Sequence, residues 1–307
     1  ALTPVTRFIH DQFAKDYLEE LLTPYGTLQS PRRVAGEVRQ IDLWFSPNAE
    51  CSLSPTPLGL LARTLHAPAI FEPYRNPVTL DEIRDCLLKL LVISAEVRRD
   101  ARRQQTSLAD SDQPRLWILT PTASDPLLAS FGATLDVENW GEGIYHFPVG
   151  LPGAIVVIHR LPRSLDTLWL RVLGRGRVQQ QAIDDLAQLP PDNPFRSNAL
   201  ILLNRLKADL ETNTTPNSED RELIMRLSPL FDQQLEAAQL SGLERGRKQT
   251  ITALLETRFG ALDEELTNCL DSMLRLSSNE LMPLLVQLSR EELIDRFQGN
   301  EPLTTPQ

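Results

Sequence analysis

A change of hydrophobic period constrains this chain more than any other feature. Up to about Leu161, helix-like segments alternate with short apolar runs of strand character. From Ser164 to Phe297 the apolar residues recur only at spacings of three and four. The run Ala154–Ile158 inside "AIVVIHRL" is continuously apolar, as in a strand covered on both faces. The order is helix, strands, helix, strands, then helices alone. That order implies an α/β core with a mixed sheet over residues 1–177 and an all-helical extension over 178–300. At 307 residues the chain is long enough for two domains and a sizeable core.

Local signals place the elements. Phe8, Ile9, Phe13, Tyr17, Leu18, Leu21 and Leu22 share helical spacing, and "TPYG" (Thr23–Gly26) ends that helix with turn chemistry. Leu28–Ala35 and Val38–Phe45 read as two strands of a hairpin around Gly36. Ala69–Phe71 reads as a short buried strand that Pro73 and Pro77 stop. Thr79 followed by Glu82 matches a capping box, and Ile83, Leu87, Leu90 and Leu91 give one apolar face, which predicts a helix to about Arg103. "RLWILTPT" and "GIYHFP" are further strands. Ser164 is placed to cap a helix carrying Leu165, Leu168, Trp169, Val172 and Leu173. Later helices are expected near 178–189, 198–211, 218–259, 263–276 and 279–297, and the tail "GNEPLTTPQ" is expected to fray.

Charge and cysteine usage narrow the classes of function. The net charge of −10 is uneven. Residues 1–177 hold 19 Lys+Arg against 20 Asp+Glu, and residues 178–307 hold 12 against 21. Of those 19 cations, 17 are arginine, the side chain suited to bidentate phosphate or carboxylate contacts. The chain is too acidic to coat nucleic acid without specificity, so any such contact is local. No apolar run approaches the roughly 20 residues of a membrane span, and the opening "ALTPVTRFIHDQF" lacks the apolar core of a secretory signal. Cys51, Cys86 and Cys269 form neither a metal-ligand spacing nor a disulfide framework, so a cytoplasmic setting is expected.

One aspartate stands out. In "EVRQIDLWFS" (Glu37–Ser46), Asp42 interrupts a run of β-formers, where strand propensity disfavours it and burial would cost several kcal/mol without compensation. Glu72, at the end of "AIFE", is a second carboxylate on a strand. Two carboxylates on neighbouring strands suit a divalent cation that takes hard oxygen ligands, and such an ion activates water or stabilises a phosphorane-like transition state. Asp11, or Glu19 and Glu20, would add a further carboxylate from the first helix. Lys89, on the helix after Glu72, can reach the same end of the sheet. The plain alternative is a structural pair of Asp42 with Arg39 or Arg75, a strand-end role for Glu72 and a solvated Lys89.

This layout resembles the PD-(D/E)XK nuclease superfamily, whose core is a helix, a strand with Asp, a strand with Glu, a helix and a further strand. "RFIHDQFAKDYLEELL" is similar to the opening helix of its recombination-promoting nuclease (Rpn) and transposase branch, through His10, Asp11, Phe13 and Lys15. "EVRQIDLWF", "IFEPYRNPVT", "LWILTPTAS" and "GRGRVQQQAID" resemble a group of bacterial proteins that pair such a core with a helical domain of unknown function. "LLETRFGALDEELTNCLDSM" resembles the start of a small terminal helical module, over about 248–300. The resemblance implies a restriction-endonuclease-like core and a Mg²⁺- or Mn²⁺-dependent deoxyribonuclease. Asp42 and Glu72 would be its metal ligands and catalytic residues. The family lysine position holds Tyr74, so the lysine's role would pass to Lys89, with Arg75 second.

Arg98, Arg99, Arg102 and Arg103 close the long helix. They are candidate phosphate contacts, or simply cations favoured at a helix C-terminus. "GRGRVQQQ" (Gly174–Gln181) lacks the ending of a phosphate loop and reads as a helix cap or a second DNA contact. His66, His146 and His159 show no ligand spacing. The Asn213 glycosylation sequon would stay unmodified in a cytoplasmic chain. The rival to a nuclease is a non-catalytic nuclease-like scaffold, or a DNA-binding protein that does not cut. Its acidic helical half would engage a protein partner or a second copy.

Overall fold

The computed structural model describes residues 4–29, 32–34, 39–48, 57–109, 112–213 and 217–298. Gly36, the tail from Gly299 and the threonines of the Asn213 sequon lie outside them. The chain divides into two compact units, residues 1–230 and 231–307.

The first unit opens with α1 (Pro4–Leu22). Tyr17, Leu18, Leu21 and Leu22 form its buried stripe, with no exposed surface. Four strands follow: β1 (Gly26–Gln29), β2 (Arg32–Val34), β3 (Arg39–Ile41) and β4 (Leu43–Pro47). The expected hairpin is present in pairing but split in two. β1 pairs antiparallel with β4 and β2 with β3, and one register runs through both ladders, from Gln29↔Trp44 to Arg32↔Ile41. β1 and β4 belong to the main sheet, whereas β2 and β3 form a separate ribbon. Asp42 is the residue between β3 and β4, so it occupies a bend and not the middle of a strand. A side chain that strands disfavour falls where the strand breaks.

β5 (Ala69–Pro73), α2 (Leu80–Arg103) and β6 (Arg115–Thr120) make a parallel crossover unit. Thr79 caps α2 in the expected capping box: its side chain accepts the Glu82 N–H, and Glu82 reaches back to the Thr79 N–H at 2.8 Å. After α3 (Asp125–Ser130), β7 (Thr134–Leu135), α4 (Val137–Trp140) and β8 (Ile144–His146), β9 (Gly153–Val157) returns parallel to β6. A side chain at residue 153 would stand 2.3 Å from the Leu116 carbonyl oxygen, so the close entry of β9 beside β6 requires glycine.

The sheet runs β1-β4-β5-β6-β9-β8-β7, with parallel strands at its centre and antiparallel ones outside. The central strands are the continuously apolar ones, since both their faces are covered. Ile70, Leu116, Ile118, Ile155 and Val157 pack with Ile83, Cys86, Leu90 and Ile93 of α2 in one cluster. Phe71, Trp117, Leu119 and Val156 of the opposite parity are buried too.

Beyond β9 the helix expected from Ser164 is shorter. Ser164 Oγ caps a turn at the Thr167 N–H, and only Leu168–Arg171 (α5) is helical. α6 (Gly176–Ala187) and α7 (Arg196–Thr212) follow, then α8 (Ser218–Phe259), which starts in the first unit and continues into the second. The first unit thus extends past the boundary expected at residue 177. α7 packs on α1, where Asn198 donates to Glu20, and the start of α8 is tied to α6 by Arg226–Asp184 and Arg175–Glu219 ion pairs. These helices cover the core and do not form a separate body.

The second unit has its own core, built from Ile251 and Leu255 of α8, Cys269, Leu270 and Met273 of α9 (Glu264–Met273), Leu281 and Leu285 of α10 (Ser278–Gln287) and Leu293 of α11 (Arg290–Gln298). The single helix expected over 279–297 is two. Leu288 turns extended at ψ 146°, and Ser289 opens a new capping box with Glu292, which accepts the Ser289 N–H at 2.8 Å. Among the described residues no helix is long and apolar enough to cross a membrane.

Candidate functional site

Two side chains on one strand face meet two on one helix face. Glu72 and Tyr74 lie two apart at the end of β5 and so point the same way. Cys86 and Lys89 lie three apart on α2 and share a face. α2 packs on the sheet so that Tyr74 Oη meets Cys86 Sγ at 3.2 Å and Lys89 Nζ meets Glu72 Oε2 at 2.7 Å. Tyr74, where the resemblance would place a lysine, is partly buried and packs against the α2 cluster. The ammonium reaches the carboxylate from the helix instead. Arg75, the second candidate for that role, points elsewhere: its guanidinium is buried and donates to the Gly174 carbonyl at 2.8 Å and Gln179 Oε1 at 3.1 Å.

Asp42 joins the pair from the β3–β4 bend. Its N–H lies 3.4 Å from Glu72 Oε1, a long contact, and its carboxylate pairs with Lys15 of α1 at 2.6 Å. Lys15 offsets the charge of Asp42, and the Arg39 side chain lies outside the described residues. The Asp42 side chain is also 30% exposed, so the desolvation that a mid-strand carboxylate would suffer is largely avoided. Glu72 is in a different situation at 2%. Burial pushes its carboxyl up to about 7, Lys89 opposes that shift and Asp42 adds to it. Burial would lower the Lys89 ammonium, but Glu72 outweighs it and the pKa is raised, so Lys89 is a cation at neutral pH.

The lysine pattern was a signal the sequence carried. Residues 1–177 contain only two lysines, Lys15 and Lys89, among 17 arginines. Both pair with the two carboxylates singled out on strands. A compact ammonium on a flexible stem fits a tight carboxylate cluster where a planar guanidinium would need more room.

Asp11 lines a small cavity with His10, Pro73, Tyr74, Arg75 and Gln179. The buried His10 bonds Asp220 of α8 at 2.8 Å, and burial holds its pKa down to about 4, so it is a neutral tie between helices. Glu20 is taken by Asn198. Arg98, Arg99, Arg102 and Arg103 are exposed on α2. At ~100° and ~1.5 Å per residue, Arg98 lies on the opposite side of α2 from Lys89, and Arg103 lies about 21 Å farther along. Arg103 pairs with Asp100 at 3.4 Å. Arg175 of "GRGR" is held by Glu219 at 2.7 Å and Asn76 at 3.2 Å. His159 accepts the Arg175 N–H, and His146 packs edge-on to Trp117 and tilted against Trp140.

As a metal site, Asp42 and Glu72 supply two hard oxygen donors, and among the described residues no group of three or more His, Cys, Asp or Glu is placed to hold an ion. Two carboxylates with the remaining positions left to water and phosphate oxygens suit Mg²⁺, which dehydrates reluctantly, better than Zn²⁺. Compared with protein-family models, curated proteins and solved structures, the chain matches none.

Proposed function

We propose that this protein is a metal-dependent phosphodiesterase acting on DNA, with Asp42 and Glu72 as ligands of Mg²⁺ or Mn²⁺ and Lys89 beside them. The reading rests on one observation above all. A lysine absent from the strand is supplied by α2, 2.7 Å from one Glu72 oxygen, while the other lies 3.4 Å from the Asp42 N–H. The bound ion would supply Lewis acidity at a phosphate oxygen and a water of lowered pKa. Lys89, held as a cation, donates hydrogen bonds to the attacking water or to a non-bridging phosphate oxygen, where negative charge grows in the transition state. Because it keeps its proton, Lys89 orients and stabilises and does not act as the base. The exposed arginines of α2, Arg98, Arg99, Arg102 and Arg103, would hold phosphates away from the scissile bond. The family resemblance in the opening helix and strands points the same way.

A second reading is favoured by the pairing itself. Each carboxylate already has an ammonium within 2.7 Å, which is also how a structural ion-pair network on a non-catalytic scaffold would look. Such a scaffold would bind DNA without cutting, or engage a protein partner through its helical half. Plasmid nicking with Mg²⁺ and Mn²⁺ separates the two. The native protein is expected to nick, and Asp42→Asn, Glu72→Gln and Lys89→Met to lose at least about 100-fold, the scale of a removed transition-state contact. A folded native protein inert with both ions would leave the scaffold.

A further inference from the structure

Two ion pairs meet at this site among the described residues. Asp42 and Glu72 bring two negative charges, Lys15 and Lys89 two positive ones, at 2.6 and 2.7 Å. A divalent cation approaching these carboxylates gains little while an ammonium holds each of them. The two ammoniums are not held alike. Lys89 is 14% exposed against a Glu72 at 2%, and its helix is anchored on both sides of it by Cys86, Leu90 and Ile93, which are buried. Lys15 is 25% exposed against an Asp42 at 30%. Its neighbours Phe13 and Tyr17 fasten α1 to the core, but the Lys15 stem ends at the surface and can carry its head group into water without moving the helix. A half-exposed pair is also the weaker of the two.

Resting on the metal-dependent reading above, we infer that Lys15 is a built-in competitor of the metal ion. It occupies the Asp42 carboxylate while the site is empty of metal, and it cedes that carboxylate to a divalent cation. Lys89 stays in place through the exchange. The metal-free protein is thereby spared an unpaired carboxylate at Asp42, and loading of the site requires a cation at a concentration sufficient to displace an ammonium.

The test is Mn²⁺ binding, read by isothermal titration calorimetry and by the loss of free-Mn²⁺ electron paramagnetic resonance, at mildly alkaline pH and low salt. The proteins are the native full chain, Lys15→Met, Lys15→Arg and Asp42→Asn, with circular dichroism as the check on folding. Lys15→Met keeps the apolar stem and removes the charge, and it is expected to bind Mn²⁺ at least about tenfold more tightly than the native chain. Lys15→Arg keeps the charge and is expected to bind no better than native. Asp42→Asn is expected to bind weakly or not at all. Equal or weaker binding by folded Lys15→Met, alongside measurable native binding that Asp42→Asn abolishes, would overturn the role of Lys15 and leave the metal site standing. If neither the native chain nor Lys15→Met binds Mn²⁺, both the metal reading and this inference fall.

Discussion

Glu72 sits in an environment far from that of a free side chain. It is buried, its carboxyl is pushed up to about 7 from the ordinary 4.5, and burial is the main cause. A folded-state pKa above the unfolded one means the folded protein holds the proton more tightly. The resulting stability is fully present below about 4.5 and is lost as pH rises through about 7. Urea unfolding in the presence of a chelator, at several pH values across that window, should show the native chain losing on the order of a few kcal/mol relative to Glu72→Gln. Lys89 loses in that variant the partner that raises it and is left to the burial that lowers it, so Lys89→Met and Glu72→Gln/Lys89→Met are compared in the same way to isolate the slope of Glu72. A difference between the two proteins that stays flat with pH would mean Glu72 is not buried beside Lys89 as described. Asp42 teaches a related point at this scale. Its poor fit to a strand was legible in the sequence, yet the fit was resolved by ending the strand there and by a partner, Lys15, 27 residues away in the chain.

Elements deliver these residues, and α2 delivers the most. The capping box at Thr79 and Glu82 was readable from spacing, as was the apolar face that seats the helix on β5 and β6. Thr79→Ala leaves the first-turn N–H of Glu82 without its acceptor and should cost about 1 kcal/mol in chemical denaturation of the first unit. A change below a few tenths would mean that the cap contributes nothing beyond water. Not every cap was read. Ser289 and Glu292 have the same spacing as Thr79 and Glu82, but the apolar period on either side of them is continuous and masks the break between α10 and α11. The split of the hairpin at Asp42 was hidden in the same way, since one register spans both ladders and only the bend separates them. Ser164 shows the opposite error: a residue of capping type that caps a turn.

The whole molecule is two units with separate cores, one around the sheet and one among the last four helices. Leu285 is buried with no exposed surface in the second core, and Leu285→Ala should destabilise that core by about 2–5 kcal/mol. Amide exchange should quicken in residues 250–298 and stay unchanged in β5 and β6. Equal loss of protection in both would show that the two units unfold as one. The uneven charge follows this division loosely, because α6 and the start of α8 carry acidic residues that pair with arginines of the first unit: Asp185 with Arg171 at 3.0 Å and Glu219 with Arg175 at 2.7 Å. Part of the acidity that looked like a partner surface is thus spent inside the molecule.

By itself the sequence determined the class of fold, the central strands and the long capped helix, because period, propensity and capping act over a few residues and leave a local record. It also marked Asp42 and Glu72, since carboxylates among apolar neighbours are costly wherever the chain goes. Only the tertiary structure decided which cations answer them. Lys15 and Lys89 meet those carboxylates through the packing of α1 and α2 on the sheet, while Tyr74 turns into the core and Arg75 toward Gly174 and Gln179. An ion pair depends on distance in space and a hydrophobic period on distance along the chain, so the sequence offered the carboxylates and Lys89 on the helix after Glu72, but not Lys15 as the partner of Asp42.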